Sequence, residues 1–290
     1  MPDLFFMKKG HEEINLTARL PAVELLEVNT GAPQLNPTYT GIAGSDGQLL
    51  QSVAFNSSTF TVSLLIKGNS RSDFNLIKSE LQKELYARVP IRLRSSFEPA
   101  KAVWVVANPT EIAPLSNSDQ GMVNFAFTVI SGMRTTPFRS DELNSNKELL
   151  TVGMGLPDMD NLPEYRFYSQ EFDVFNPSDV EIDPYIQHHD LVITFKGKAR
   201  GILVENTTNG TSFKINPDQV QTGEHSWKVK PVLEQGDVVT MDGITLFKNG
   251  DCGDVRTDFG HLVLAKGNNH IKLTGLTDVD VTFSFPFLYF

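Results

Sequence analysis

Cysteine occurs once, at Cys252, so no disulfide can close within the chain and a metal site of several thiolates is excluded. No apolar run approaches the roughly 20 residues that a membrane-crossing helix needs. Segment 1–9 is apolar for only a few residues, and its lysines follow the apolar run, the reverse of a secretory leader. The sequence therefore reads as a soluble protein made in the cytosol. Tryptophan appears 2 times and tyrosine 6 times, against 20 phenylalanines. Phe has no polar handle, so most of these rings belong in cores rather than on binding surfaces. Concentrated positive charge is also lacking. Residues 1–137 hold 12 Lys+Arg and 12 Asp+Glu, residues 138–165 hold 2 and 6, and residues 166–290 hold 11 and 17. Nucleic-acid backbones are gripped by clustered cations. Arg88, Arg92 and Arg94 form the one cluster available, and they read as exposed residues at a helix end and on the strand after it.

What is present is enough for packed cores. The chain has 290 residues, 40% hydrophobic and 21% charged, which suits two domains of ordinary size. Most of it reads as strand. Between Ser58 and Ile66, Phe60, Val62 and Leu64 alternate with Thr59, Thr61 and Ser63, the period of a half-buried strand. Segments Ala102–Ala107 and Met122–Ile130 are similar. One segment departs from this pattern: Phe74, Ile77, Leu81 and Leu85 follow helical spacing, with Ser72 as the expected cap, a Glu84–Arg88 pair and Pro90 as the stop. It is expected to be the one helix longer than three turns.

Segment 138–165 is polar and rich in Gly and Pro, and it reads as a linker between an N-terminal domain, 1–137, and a C-terminal domain, 166–290. Beyond it, strands are expected at Leu191–Phe195, Ile202–Glu205, Ser212–Ile215, Val238–Met241, Ile244–Phe247, His261–Leu264, His270–Leu273 and Val279–Phe285. Asn209-Gly210, Asp242-Gly243, Asn249-Gly250 and Gly267-Asn268 punctuate them with steps that favour tight hairpins. Short strands at close spacing predict an antiparallel β-sandwich. The fold class is thus mainly β, with one helix in the first domain.

Catalytic constellations are weak. Gly41–Gly47 is Gly-rich but lacks the Lys-Ser/Thr ending that cradles a triphosphate. Asp158 and Asp160 have calcium-loop spacing, but Pro163 stands where the central Gly belongs and Ser169 where the closing Glu belongs. His188 and His189 would diverge to opposite faces of a strand. Cys252 lies between Asp251 and Asp254, whose charges disfavour a thiolate. No triad, nucleotide motif, cofactor site or metal set remains. Trp227, with His225 beside it, is a candidate to stack on a sugar, although a Trp anchoring a strand to the core is the commoner case.

Several short motifs, in order, resemble the distal tail protein family of siphophages. They are Gly44-Ser-Asp-Gly47, the strand Ser58–Ile66, Gly68-Asn-Ser-Arg-Ser-Asp73 opening the helix, Trp104, and the strand Val123–Ser131. In the second half they are Phe172-Asp-Val-Phe-Asn-Pro177, Ile182-Asp-Pro184, Glu205-Asn-Thr-Thr-Asn-Gly210, Leu246-Phe-Lys-Asn-Gly250, Leu264-Ala-Lys-Gly-Asn-Asn-His-Ile271 and Val281-Thr-Phe-Ser-Phe-Pro-Phe287. The resemblance implies a ring-forming N-terminal domain of sheet, helix and hairpin, and a galectin-like C-terminal β-sandwich. It also implies a non-enzymatic virion protein, assembled in the host cytoplasm as a homo-hexamer. That ring would join the tail tube protein to the tail-tip hub or fibre protein and leave a channel for DNA. The tape measure protein and a receptor-binding protein are further implied partners. The competing reading is a carbohydrate-binding adhesion protein that recognises host wall sugars through Trp227 and His225.

Overall fold

The computed structural model describes residues 2–290 apart from 188–189, 224–225 and 253–254, with the backbone alone for 218–223 and 226–229. The chain divides after Pro137: residues 1–137 with Phe290 form one unit, and residues 138–289 form the other.

The first unit runs β1 (Leu4–Lys8), β2 (Ile14–Asn15), α1 (Leu16–Arg19), β3 (Val23–Thr30), β4 (Gln34–Thr40), β5 (Leu49–Asn56), β6 (Ser58–Lys67), α2 (Arg71–Leu85), β7 (Ile91–Ser95), β8 (Ala102–Ala107), β9 (Gln120–Val129) and β10 (Arg134–Thr135). Its main sheet is antiparallel, in the order β2-β1-β7-β8-β9-β6-β3, with β10 beside β8. Alternation decides which side chains are internal. On β6, Phe60, Val62 and Leu64 point inward and register against Phe127, Phe125 and Val123 of β9.

Helix α2 covers this face with Phe74, Ile77, Leu81 and Leu85, all buried, as the spacing predicts. Its cap is not Ser72 but Ser70, whose hydroxyl accepts from the Asp73 N–H at 3.2 Å. Asp73 in turn accepts from the Asn69 N–H at 2.8 Å. These two bonds satisfy backbone donors two residues earlier than the apolar stripe alone indicates. Glu84 does not pair with Arg88; it pairs with Lys8 at 3.3 Å and Arg19 at 2.9 Å. Among the described residues α2 is the only α-helix longer than four residues.

The second unit opens with a 3-10 segment, Ser140–Leu149. It continues β11 (Arg166–Phe167), β12 (Glu171–Asn176), β13 (Val192–Asn206), β14 (Thr211–Asn216), β15 (Asp218–Gly223), β16 (Ser226–Lys230), β17 (Val238–Asp242), β18 (Thr245–Lys248), β19 (Arg256–Thr257), β20 (Gly267–Ser284) and β21 (Leu288–Tyr289). Segment 138–165, expected as a linker, instead packs within this unit. Phe138, Leu143, Met154, Leu162 and Tyr165 are buried, and Ser140 Oγ donates to Phe283 O at 2.9 Å. Polar composition concealed this because the apolar residues are few and widely spaced.

Two long strands organise the rest. The four expected strands at 191–195, 202–205, 270–273 and 279–285 are halves of β13 and β20, which pair along their length. The first half of β13 also pairs with β17, and its second half with β14. Between the halves the register slips at Gly197. Gly197 and Gly275 hold φ of +136° and +90°, and a Cβ on them would lie 2.4 Å from Thr277 O and 2.3 Å from Gly201 O. Only glycine allows this bend. It folds one sheet back on itself: Phe195, in the first half of β13, meets Phe213 of β14 edge to face at 6.1 Å. The antiparallel β architecture expected from turn spacing is present, as an eight-stranded sheet bent at these glycines together with a two-stranded sheet of β15 and β16. Asn249-Gly250 turns with φ of +52° and +86°, as its chemistry predicts. His261–Leu264 is not a strand; only Leu264 bridges, to Ile182.

Candidate assembly surface

Strands β4 and β5 stand apart from the main sheet. Among the described residues they hydrogen-bond to each other and to no other strand. Successive strand residues point to opposite faces, and cross-strand partners share a face. Leu35 pairs with Phe55, Pro37 with Val53, and, past a bulge, Tyr39 with Leu50. These six apolar side chains therefore make one face of the ribbon. Gln34, Asn36 and Thr38, opposite Asn56, Ala54 and Ser52, make the other.

The apolar face is largely uncovered, with the Phe55 ring packed 5.2 Å from that of Phe290. Leu35 is 59% exposed, Tyr39 53%, Leu50 56% and Val53 47%. An isolated two-stranded hairpin is marginal in water, and a contiguous apolar face of this kind marks an interaction site. The Gly41–Gly47 stretch is the exposed connection at the ribbon's tip, not a phosphate cradle. Alternation in 34–40 and 49–56 was the sequence signal for this surface. Pro37 within β4 obscured it, because proline is tolerated only on an edge or unpaired side of a strand.

The remaining candidates give no catalytic geometry. Arg92 and Arg94 are not an exposed basic patch. Arg94 is buried, its guanidinium lies 4.1 Å from the Phe5 ring centre, and it forms a short ion pair with Glu13, which also accepts from Arg92 at 3.0 Å. Burial pushes the Glu13 carboxyl up, but the hydrogen bonds and charges of Arg94 and Arg92 outweigh this and hold it below the ordinary Glu range. Arg88 alone of the three is exposed.

Asp158 accepts from the backbone of Asp160 at 2.9 Å, an Asx turn on an exposed loop. No group of three or more His, Cys, Asp or Glu among the described residues is arranged to hold a metal. Cys252 is exposed. His188, His189 and His225 lie outside the described residues, and Trp227 is described only as a backbone position of β16, opposite Gln221.

The ionisable groups that do shift are tied into structure. Hydrogen bonds from Asn249 and Lys248 hold Asp237 down to about 2. Burial pushes the Tyr165 and Tyr289 hydroxyls well above the usual phenol range, and each donates to a backbone carbonyl, Phe175 O and Met154 O, at 2.9 Å.

Residues 9–127 match the family described as phage tail protein RIFT-related domain. No curated protein sequence matches the chain. The crystal structure of the Dit protein (gp 19.1) of phage SPP1, described as a paradigm of the hub adsorption apparatus in phages infecting Gram-positive hosts, superposes with TM-score 0.58 at 13% identity, over 98% of this chain and 99% of that one. Chains of the phage p2 baseplate in its activated conformation superpose more loosely. With strontium the TM-score is 0.43, over 99% of this chain and 98% of that one, and with calcium it is 0.45, over 98% of each; both are 10% identical. The matched family is one of tail proteins, not of enzymes. Residues 9–127 thus match the phage tail protein RIFT-related domain family, and the chain as a whole has the fold of the SPP1 Dit protein.

Proposed function

We propose that this protein is a structural, non-enzymatic component of the phage tail tip, and that it assembles into a closed ring of copies through the β4–β5 ribbon. The observation that carries the proposal is the largely uncovered apolar face of that ribbon, in the unit that carries the tail-protein domain. Copies joined head to tail close into a ring when the rotation between neighbours allows it, and the family resemblance points to six. In the virion the ring would sit between the tail tube protein and the hub or fibre protein, with DNA passing through its centre. Charge supports this reading. The first unit carries 12 cations and 12 carboxylates, so copies brought around an axis meet no net self-repulsion, and Arg92 and Arg94 of the one arginine cluster are turned inward onto the shared Glu13 carboxylate. A duplex that must slide is then not gripped.

The test is Leu35→Ser combined with Leu50→Ser. Both side chains are exposed in the isolated subunit, so the variant is expected to keep the wild-type melting temperature. Wild type is expected to form rings by negative stain and native mass, and the variant to remain at the subunit mass of 32.2 kDa. A wild-type chain that forms no cyclic array, either purified or within tail particles, would overturn the proposal.

A further inference from the structure

Among the described residues four non-glycine positions hold a positive φ. Asn117, Asn249 and Asp278 are residue types that tolerate it. The fourth is Phe259, at φ +63° and 93% exposed. A bulky side chain in this backbone region is strained, and a phenyl ring in water gains nothing from burial. Within its own unit, therefore, Phe259 is unfavourable twice over.

The loop around it is nonetheless tightly built. Asp258 Oδ1 accepts from the backbone N–H groups of Lys214 and Gly260 at 3.0 Å each, and Thr257 Oγ1 accepts from the Phe259 N–H at 3.2 Å. Gly260 is seated so closely that a Cβ would lie 2.4 Å from Ser212 O. A second turn presents its side chains beside it. Buried Asp183 accepts from the N–H groups of Tyr185 at 2.9 Å and Ile186 at 3.2 Å, and both of those side chains are exposed. The Tyr185 ring stacks on His261, centres 5.5 Å apart, two residues from Phe259. Two hydrogen-bonded turns of the second unit, joined by the Tyr185–His261 stack, thus hold two aromatic rings and an aliphatic side chain out in solvent.

Chemistry selects the occupant. A sugar needs an open ring face with free polar groups beside it. Here His261 covers one face of Tyr185, and the Asp183 oxygen is already engaged by backbone. A second copy offers either the neutral first unit or a second unit as acidic as this one. The described residues of the segments that carry the knob, 179–190 and 251–262, hold six carboxylates and a single Lys or Arg. We propose that Phe259, Tyr185 and Ile186 form a preformed docking knob for another tail protein, one whose apolar pocket is rimmed by lysine and arginine. This rests on the tail-tip reading above.

The test places p-benzoylphenylalanine at position 259 of the full chain and irradiates assembled tails. The expected crosslink joins the chain to a different tail protein, at a peptide where apolar residues are flanked by Lys or Arg. Phe259→Ser tails are expected to retain that protein at least about tenfold less after a salt wash, as loss of an interface anchor predicts. Phe259→Gly removes the ring while relieving the backbone. It should melt at or above the wild-type temperature and lose the partner equally, separating docking from folding. A crosslink to a second copy of the chain, a crosslinked peptide without cations, or a partner retained undiminished on both variants would overturn the knob while leaving the tail-tip reading intact. Tails that lack the chain altogether would overturn both.

Discussion

Glu13 is the most informative single residue to alter in the first unit, because two arginines depend on it. It comes from the turn before β2, while Arg92 and Arg94 come from β7. Arg94 is 8% exposed, and the Glu13 side chain keeps only 22% of its surface. Glu13→Ala leaves the Arg94 charge buried, with a long 3.4 Å bond to Pro99 O and the Phe5 ring as its remaining partners. Removing one member of a buried ion pair costs about 3–5 kcal/mol. Arg92 keeps its 2.8 Å bond to Pro137 O and is partly solvated, so the lower end, about 3 kcal/mol, is the expected loss. In a domain of this size that corresponds to roughly 10 °C in melting temperature.

The pH dependence is fixed in sign. The Glu13 carboxyl is held below its ordinary value of 4.5. Its contribution is therefore fully present above that value and is lost as pH falls through the depressed folded-state value. Urea unfolding of wild type and Glu13→Ala at pH 7 and at pH 3 should show a gap that narrows at the lower pH. A loss under about 1 kcal/mol, or a gap equal at both pH values, would refute the claim that this node is a buried charge pair rather than a surface one.

Other substitutions probe the scaffolds that carry the two surfaces. Leu81→Ala empties part of the contact between α2 and the main sheet and should cost about 2–5 kcal/mol by chemical denaturation, because Leu81 is fully buried. Gly275→Ala puts a Cβ 2.3 Å from Gly201 O at φ +90°. Strain in the backbone alone accounts for about 1–2 kcal/mol, the clash adds to it, and the loss should fall on the second unit. Amide exchange should then rise along β13 and β20, leaving β6 and β9 protected.

The sequence showed fold class and strand content well because the strongest signals were local. Alternation along Ser58–Ile66 and the stripe Phe74–Ile77–Leu81–Leu85 follow from the geometry of one element each. Boundaries were less visible. The cap fell on Ser70 rather than Ser72 because Asp73 reaches back to Asn69, a contact that hydrophobic spacing does not encode. Halves of β13 and of β20 read as separate strands because Gly197 and Gly275 look like turn residues, whereas they bend continuous strands. The linker reading of 138–165 failed because a few anchors, Phe138, Leu143 and Tyr165, outweigh a polar majority.

The surfaces were hidden for a different reason. Leu35, Tyr39 and Leu50 look like ordinary strand residues, and only their exposure in the folded unit makes them a site. Phe259 is one of 20 phenylalanines and is distinguished by its backbone angle, which no composition reports. The arginine cluster misled in the opposite sense, because Glu13 is 79 positions from Arg92 in sequence and 3.0 Å from it in space.

The ribbon also sets how a ring must form. Fully burying a Leu, Val or Phe is worth about 1.5–3 kcal/mol. The five exposed side chains of the face, Leu35, Tyr39, Leu50, Val53 and Phe55, start roughly half covered and would therefore add about 1 kcal/mol each, or about 5 kcal/mol for one contact. Association of two bodies costs about 4–15 kcal/mol in lost freedom, so a single ribbon contact does not hold a dimer at micromolar concentration. An open chain of n copies has one contact for each association step and gains little by growing. Closing the circle adds a contact without a further loss of translational freedom, because the last two surfaces are already held at high effective concentration. Sedimentation across a concentration series should therefore show two species, the single subunit and the closed ring, with few dimers or trimers between them. Leu35→Ser with Leu50→Ser, removing about 2 kcal/mol per contact, should shift the whole population to the single subunit. A graded ladder of dimer, trimer and tetramer would mean that each contact is strong on its own, and that the ribbon is not what closes the ring.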